Sequence, residues 1–400
     1  MTIPTVTTSP LQHDLRPHFE ALAGFDSLEA CETSALYRSL QPEIDAVLTA
    51  VDMREAEARP RPDTTEILAV AWNIERGMQL DRIIEVLKSD PILSAADVLY
   101  ITEVDYGMAR AGNRDVGREI AEAIGYSYAF VPCYLALNKG AGVEARAEGE
   151  NTYALHGNAV LSRYPLRNVH GLALPNGKDK MAGREKRLGS QRAIVADVEH
   201  PVGTFRAVVL HMDAHSSQDH RHRQMRIVMD HLDQLEPRMP ALIGGDWNTT
   251  THNASRALYS ILGYVLRVLM GVRRVLVRHY PHPDRWFERH MFRELEQRGF
   301  NYKNLNVPGG CTLHYSIADL AANENMGEWI PQWCFWFINW ALEPQGGRCS
   351  LKLDWFAGRG IRPSANRPPA ILEGLAGDGP PLSDHDPIVL GFTFDDMEAK

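Results

Sequence analysis

The chain has 400 residues, a formal net charge of −9, and 44% hydrophobic and 23% charged residues. These proportions suit a soluble globular protein, and the length allows one large α/β domain or two domains. The negative charge disfavours a general electrostatic grip on nucleic acid, although a local basic patch would still provide one. Five dispersed cysteines without a CxxC pair indicate neither a zinc site nor a disulfide framework. Neither a signal peptide nor a membrane span of roughly 20 apolar residues is recognisable, so a cytoplasmic location is predicted.

Residues 1–64 are predicted to form a helical N-terminal extension. Apolar residues recur at helical spacing through Leu11–Ala23 and Leu36–Met53. A charged stretch with prolines, Arg54–Asp63, follows as a linker. No catalytic constellation occurs in this part of the chain, so its expected role is a helical cap on the main domain.

From residue 65 onward, predicted strands alternate with predicted helices. Ile67–Trp72 and Val98–Thr102 are apolar runs typical of buried strands, and a helix is predicted between them. A β-α-β unit places the carboxyl ends of both strands at one edge of a sheet. Asn73 and Glu75 follow the first strand and Glu103 follows the second, which predicts a polar site at that edge.

The stretch Ala241–Asn248 ends in the same way. Asp246 and Asn248 are two residues apart, so in extended chain they share one face. The two glycines before them would allow a ligand to approach the backbone closely. The ordinary alternative is a strand-end turn in which Asp and Asn are common turn residues.

Other polar residues lie at the ends of further predicted strands. His211 follows an alternating strand, Asp354 lies within the predicted strand Ser350–Phe356, and Asp384 and His385 precede the last strand. Carboxylate and amide oxygens suit a hard cation such as Mg²⁺ or Mn²⁺. Histidines beside acids suit proton transfer and the stabilisation of negative charge, and phosphate esters require this combination.

The ordered series of motifs resembles the endonuclease/exonuclease/phosphatase superfamily. The matching segments are WNIERG (72–77), TEVD (102–105), HGNAVLSRYP (156–165), RAIV (192–195), VLHMD (209–213), GGDWN (244–248), LDWF (353–356) and SDHDP (383–387). They predict a catalytic domain over residues 65–394. The resemblance implies a four-layer α/β sandwich, in which two packed mixed β-sheets are flanked by helices. It also implies metal-dependent hydrolysis of a phosphoester by an activated water.

The resemblance further implies a role for each matching side chain. Asn73 and Glu103 would hold the metal, Mg²⁺ or Mn²⁺, with Glu103 as its main carboxylate and Asp384 assisting. Asp246 would orient or activate the attacking water. Asn248 would bind a phosphoryl oxygen.

The implied dyad pairs Asp354 with His385. Asp354 would fix the tautomer of His385 and raise its pKa, so that the imidazolium stabilises the transition state. His211 stands where the nuclease and sphingomyelinase branches carry histidine and the repair branch carries tyrosine. The remaining candidates, which would contact substrate or support the residues that do, are Glu75, Asn158 and Arg192. For the last two, loop organisation and a structural ion pair are the ordinary alternatives.

Two predicted insertions, near residues 252–292 and 315–349, interrupt the alternation. Within the first, Tyr264–His279 is predicted to be one cationic amphipathic helix with Arg267, Arg274 and Arg278 on one face. Such a helix would bind an anionic membrane surface or nucleic-acid phosphates, or it would simply pack on the domain.

The second insertion is rich in tryptophan. Glu328–Leu342 carries a helical stripe made of Trp329, Trp333, Trp336 and Trp340. A helix buried in the domain is one interpretation, and an interfacial or lid element is the other. Peripheral membrane contact through residues 264–279 and 328–342 is therefore a hypothesis, and no obligate protein partner is predicted.

The predicted function is hydrolysis of a phosphodiester, with the substrate either a nucleic acid or a phospholipid headgroup. A phosphomonoesterase of the same family is one alternative. The other is a non-catalytic membrane- or nucleic-acid-binding protein that retains the fold. The intact set of site residues argues against the non-catalytic alternative.

Overall fold

The computed structural model describes residues 6–7, 10–61, 65–214, 216–249, 253, 257–316 and 334–395. Within them, ten strands form the larger of two main sheets. These are β1 Val6–Thr7, β2 Val51–Arg54, β3 Ile67–Arg76, β4 Val98–Tyr106, β5 Ser127–Ala136, β6 Leu155–Ser162, β8 Arg187–Gly189, β15 Ile361–Pro363, β16 Ala370–Ile371 and β17 Ile388–Phe394. The smaller sheet consists of β7 Leu166–Ala173, β9 Arg192–His200, β10 Gly203–Val209, β11 Ala241–Asp246 and β14 Asp354–Arg359. A separate pair joins β12 Leu313–Ser316 to β13 Arg348–Leu351.

The helices pack outside the two main sheets. They are α1 Phe19–Ala23, α2 Leu28–Thr33, α3 Ala35–Thr49, α4 Leu80–Ser89, α5 Val116–Ile124, α6 Gln218–Gln234, α7 Ala257–Leu269, α8 Val272–Arg274, α9 Arg289–Gln297 and α10 Cys334–Leu342. Short 3₁₀ turns occur at Arg16–His18, Leu93–Ala95, Ala109–Ala111, Glu144–Arg146, Lys180–Ala182 and Glu343–Gln345, and a π turn occurs at Val275–His279. No helix among the described residues is long and apolar enough to cross a membrane.

Three buried apolar clusters separate the layers. Successive strand residues face opposite sides of a sheet, so Leu99 and Tyr100 of β4 belong to different clusters. The first cluster joins the larger sheet to helices and includes Leu48, Leu99 and Ile120. The second fills the space between the sheets and includes Tyr100, Phe205 and Phe356. The third joins the smaller sheet to α6 and α9 through Val208, Met225 and Phe292. Helix, sheet, sheet and helix therefore form the predicted four-layer sandwich, which is confirmed.

The strand directions gather several chain segments at one edge of this sandwich. β3 runs parallel to β4, and β10 runs parallel to β11, so the carboxyl ends within each pair coincide. β14 is antiparallel to β11, and its first residue, Asp354, pairs with the last residue of β11, Asp246. β17 is antiparallel to β3, which places His385, just before β17, beside the end of β3. Polar residues far apart in sequence are thereby brought to a common edge.

The N-terminal region contributes to the main sheet, which the helical prediction did not anticipate. The helix predicted over Leu36–Met53 ends at Thr49, and β2 begins at Val51 and pairs with β5. Val51 is fully buried between the two sheets. The predicted helix was too long because burial between two sheets and burial on a helix face both require apolar residues.

Two other predicted elements are divided in the structure. The helix predicted over Tyr264–His279 breaks at Gly271, whose φ of +90° lies in the region that favours glycine. The strand predicted over Ser350–Phe356 is two strands, β13 and β14, separated at residues 352–353. Of the predicted tryptophan stripe, Trp329 and Trp333 lie outside the described residues, while Trp336 and Trp340 are on α10.

Candidate active site

The centre of the site is the Asp246 carboxylate, at the end of β11. The side-chain amide of Asn73, on β3, donates to Asp246 Oδ2 at 3.1 Å and to Glu103 Oε1, on β4, at 3.1 Å. His211 Nε2 lies 3.5 Å from Asp246 Oδ2 and 3.9 Å from Glu103 Oε1. One amide and one imidazole therefore bridge two carboxylates that come from different sheets.

A second group lies on the other side of Asp246. His385 Nδ1 is 2.7 Å from Asp354 Oδ2, and His385 Nε2 is 3.8 Å from Asp246 Oδ2. The Thr312 hydroxyl donates to the same Asp354 Oδ2 at 2.6 Å, and the Trp72 indole donates to the His385 carbonyl at 2.9 Å. Both members of the pair are buried. The imidazole is consequently held with its Nε2 towards the centre of the site.

Asn248 is fixed next to Asp246. Its backbone N–H donates to Asp246 Oδ1 at 2.9 Å, and its side-chain amide donates to the Met212 carbonyl at 3.0 Å. The same amide lies 3.4 Å from Asp246 Oδ2. The pair predicted from two-residue spacing is therefore adjacent and hydrogen-bonded.

Two carboxyl groups of the site have opposite pKa shifts. Burial alone would raise the pKa of Glu103, but Arg76, whose Nη1 is 3.6 Å away, and His211 outweigh burial and hold that pKa below its usual range. Burial and repulsion from Asp354 raise the pKa of Asp246 above its usual range, although His385 favours the ionised form. Glu103 is thus a fixed anion, whereas Asp246 is the more basic carboxylate and the better proton acceptor.

Acidic groups are crowded at the rim. Burial and repulsion from the Asp384 carboxylate raise the pKa of Glu75 to about 8, and Glu103 adds to the repulsion. Asp384 itself is exposed and follows Ser383, whose hydroxyl donates to the Asn73 carbonyl at 2.6 Å. A cation placed among these three acids would relieve their repulsion, so the donor set fits a hard divalent ion.

His385 has the strongest electrostatic support. Burial lowers the pKa of an imidazole, but Asp354, Asp384 and Asp246 outweigh it and raise the pKa of His385 well above 6.5. His385, Asp354 and Asp246 also offer ligand atoms within 4.8 Å of one another, a spacing that would fit a metal ion. The Nδ1 atom of His385 already faces Asp354, so only its Nε2 is directed towards the centre of the site. The three acids at the rim are a second place where a cation would fit.

Asn158 and Arg192 contact each other rather than Asp246. The Asn158 amide donates to the Arg192 carbonyl at 2.9 Å, and the Arg192 guanidinium donates to the Gly171 carbonyl at 3.3 Å. Burial lowers the pKa of Arg192, and no carboxylate among the described residues pairs with it. The alternative prediction that Arg192 forms a structural ion pair is therefore not supported by the described residues. Arg192 begins β9 at the edge where β10 ends, one strand from His211.

Two residues of the site escaped the sequence analysis. Arg76 lies inside the WNIERG segment and was recognisable as a cation next to Glu75, but its contact with Glu103 requires the fold. Thr312 precedes β12 and carried no periodic or motif signal. Its position beside Asp354 arises because the chain returns to the site after a long insertion.

Similar solved structures have low sequence identity to this chain. A Beutenbergia cavernae DSM 12333 protein described as endonuclease/exonuclease/phosphatase is 17% identical over 83% of this chain and 72% of that chain, with a TM-score of 0.47. The human Nocturnin catalytic domain is 15% identical over 86% and 97%, with a TM-score of 0.44. A 3'-5' exonuclease from Neisseria meningitidis is 14% identical over 82% and 100%, with a TM-score of 0.45. These likenesses carry no argument about substrate.

Comparison at the level of sequence gives one further result. No curated protein matches the chain significantly. A family model, described as Endonuclease/Exonuclease/phosphatase family, matches residues 70–345, well over half of the chain. The matched segment includes Asn73, Glu103 and Asp246, whereas Asp354 and His385 lie beyond it.

Proposed function

The chain belongs to the endonuclease/exonuclease/phosphatase family, because the family model matches most of the chain's 400 residues, and we propose that the protein is a metal-dependent phosphodiesterase. Members of the family are generally hydrolases of phosphoester bonds and typically use divalent metals. The observation that carries the proposal is the Asp246 carboxylate, which lies between the Asn73–Glu103 pair and the His385–Asp354 dyad.

In this proposal Asn73, Glu103 and Asp384 hold Mg²⁺ or Mn²⁺. When bound, the ion would neutralise charge on the phosphoryl oxygens and supply Lewis-acid chemistry. Glu103 suits the main ligand because Arg76 keeps it ionised, so no proton has to leave before a cation binds. Glu75 is assigned to support this cluster from the rim.

The other residues act on the water and on the developing charge. Asp246, with its raised pKa, orients the attacking water and accepts its proton. The acids around His385 raise its pKa and so favour its protonated form, which would stabilise the negative charge of the transition state, with Asp354 fixing its ring. Asn248 and His211 flank Asp246 and are assigned to the phosphoryl oxygens.

Arg192 is assigned to the substrate. The Arg192 guanidinium is half-buried and has no carboxylate partner among the described residues, so it suits an anion supplied from outside the protein. Asn158 holds the Arg192 backbone and is assigned a supporting role.

The proposal is tested by a hydrolysis screen with Mg²⁺ and with EDTA. Substrates are plasmid DNA, RNA, sphingomyelin, phosphoinositides, a generic diester and a phosphomonoester. Turnover of a diester that requires the metal and is lost in Asp246→Asn is the expected result. Preference for the monoester would support the phosphatase alternative. If none of these substrates is hydrolysed with either Mg²⁺ or Mn²⁺, the non-catalytic alternative is favoured.

We also propose peripheral contact with an anionic membrane, on a specific observation. Among the residues that the structure describes, eleven large apolar side chains are notably exposed; ten of them lie in the two insertions, and six are on α7. Those on α7 are Leu258, Tyr259, Leu262, Val265, Leu266 and Leu269, and Leu269 is 78% exposed. Trp336 on α10 is 66% exposed, so it is not a core residue. An apolar helical face of this extent is typical of an interaction surface.

The charge around α7 favours anionic lipid. Residues 257–283 contain no acidic residue although the whole chain has a net charge of −9. Arg273, Arg274 and Arg278 are exposed, whereas Arg267 lies over the rings of Tyr280 and Phe287. The sequence predicted that Arg267, Arg274 and Arg278 share one exposed face. In the structure Arg273 takes the place of Arg267 among the exposed arginines of this segment. At about 1 kcal/mol per residue, three exposed arginines would raise partitioning by roughly two orders of magnitude.

Co-sedimentation with vesicles tests this contact. The wild type is expected to bind phosphatidylserine-containing vesicles and to remain unbound with phosphatidylcholine alone. Leu262→Glu with Leu266→Glu should abolish binding. Ile92→Glu is the matched control, because Ile92 is exposed outside the insertions. Equal loss in the control, or no binding by the wild type, would contradict the proposal.

A further inference from the structure

Arg76 lies between two carboxylates, and only one of them belongs to the proposed metal site. Its Nη1 is 3.6 Å from Oε2 of Glu103, and its Nε is 3.1 Å from Oε1 of Glu144. All three groups are largely shielded from water, since the side chains of Arg76, Glu103 and Glu144 are 22%, 18% and 4% exposed. One guanidinium is therefore shared by two carboxylates, and the closer contact is with Glu144.

Glu144 is held in place within the loop that follows β5. It begins the turn Glu144–Arg146, and its other oxygen, Oε2, accepts from Arg110 Nη1 at 2.6 Å. Arg110 is buried and donates to both oxygens of Asp105, at 2.6 and 3.0 Å. Gly140 packs against the same carboxylate, because a Cβ there would lie 2.3 Å from Glu144 Oε2. The Glu144 carboxylate is consequently a fixed partner for the shared guanidinium.

The backbone at the end of β3 is unusual at Arg76. Glu75, Arg76 and Gly77 have φ values of 45°, 66° and 74°, in a stretch where the pairing of β3 with β4 is irregular. Residues other than glycine rarely adopt this conformation, and it persists where surrounding contacts enforce it. The fold therefore imposes the backbone that places Arg76 beside both Glu103 and Glu144.

The sharing of Arg76 matters because a guanidinium and a metal ion compete for the same carboxylate oxygens. Glu103 Oε1 accepts from the Asn73 amide at 3.1 Å, whereas Oε2 faces Arg76 at 3.6 Å. That distance exceeds the range of about 2.7–3.2 Å for a hydrogen bond, so Arg76 favours the ionised form of Glu103 without closing Oε2 to a cation. A guanidinium released from Glu144 would be able to form a closer, bidentate pair with Glu103.

We propose that Glu144 is a positioning residue, which holds Arg76 away from Glu103 and thereby leaves Glu103 able to bind a divalent cation. The inference rests on the proposed function, in which Glu103 is the main metal ligand, and it adds a determinant of metal affinity. Replacing residues that support metal ligands typically costs about 10–100-fold in affinity. Because Glu144 acts through Arg76, its effect depends on the presence of Arg76.

Calorimetric titration of the full chain with Mn²⁺ tests this dependence. Glu144→Gln should lower the affinity by about tenfold. The same substitution in an Arg76→Met background should change the affinity by less than about twofold, since the competing guanidinium is gone. Equal losses in the two backgrounds would show that Glu144 acts through its own charge, and that result would overturn the inference. An unchanged affinity in Glu144→Gln would overturn it as well.

Two further variants control for damage to the fold, which urea unfolding measures for every variant. Glu288→Gln is the matched control, because it removes a buried carboxylate that is paired with Arg221 of α6. Its Mn²⁺ affinity should equal that of the wild type, and a loss as large as in Glu144→Gln would contradict the inference. Where Glu144→Gln fails to fold, Glu144→Asp keeps the charge beside Arg110 and withdraws it from Arg76. The same comparison of two backgrounds then decides the question.

Kinetics supply a second measurement. The Mg²⁺ concentration that gives half-maximal hydrolysis of a diester should rise by about tenfold in Glu144→Gln. Lower turnover with an unchanged Mg²⁺ requirement would indicate general damage to the site and contradict the inference.

The titrations also separate this inference from the proposed function. If the wild type binds Mn²⁺ but hydrolyses no substrate, the phosphodiesterase proposal fails, and the titrations still decide the role of Glu144. If the wild type binds neither Mn²⁺ nor Mg²⁺, the metal assignment and this inference are both overturned.

Discussion

Thr312→Val is the change that most directly probes the dyad. The Thr312 side chain is fully buried, and its hydroxyl donates to Asp354 Oδ2 at 2.6 Å, the atom that also faces His385. Valine has nearly the same shape but no hydroxyl, so the packing survives and the hydrogen bond is lost. A hydrogen bond to a charged group contributes about 1.5–3 kcal/mol, so the free energy of unfolding should fall by about 2 kcal/mol.

Activity should fall as well, because Asp354 would be less firmly oriented. A displacement of about 1 Å at such a site can lower the rate by about a hundredfold, so a loss of tenfold or more in kcat is expected with KM little changed. Urea unfolding and steady-state kinetics measure the two effects. Thr312→Ser keeps the hydroxyl and is the matched control. If valine behaves like serine in both assays, the hydroxyl does not position the dyad.

Three further predictions concern the same site. Glu103→Gln should sharply lower Mg²⁺ affinity in calorimetry and reduce turnover with the fold intact, and EDTA should abolish wild-type activity; full activity in EDTA would refute the metal assignment. Asp354→Ala and His385→Ala should lower kcat non-additively, whereas additive losses would show that the residues act separately. The stability difference between wild type and His385→Gln should be present in full below pH 6.5 and decline as pH rises through the raised folded-state pKa, measured by urea unfolding across pH. A difference that grows with pH would contradict this sign.

The fold class followed from the sequence because the strand-end motifs retain their order. The apolar runs that predicted Ile67–Trp72 and Val98–Thr102 both became central strands, β3 and β4, and the predicted intervening helix is α4. Buried parallel strands produce continuous apolar runs that are easy to recognise. β2 was missed because a strand of four residues leaves almost no period of its own.

The insertions were less predictable, since their patterns have more than one structural solution. A helical period through residues 264–279 did not reveal that Gly271 would divide the segment. It also did not reveal that Arg267 would cover the rings of Tyr280 and Phe287, leaving the apolar face of α7 exposed. Side-chain contacts between separate segments decide these outcomes, and a single sequence does not contain them explicitly.

The backbone of the site was also beyond sequence reasoning, and it supports the functional assignment. Glu75, Glu103 and Asn248 have positive φ values of 45°, 54° and 50°, a region that L-residues rarely adopt. Each such residue costs of order 1 kcal/mol or more and persists where neighbouring contacts enforce it. Asn73 Oδ1 accepts from the Glu75 N–H at 3.0 Å, and Asp246 Oδ1 accepts from the Asn248 N–H at 2.9 Å. The site residues therefore hold one another in strained conformations, as expected where positioning of reactive groups is selected over local stability.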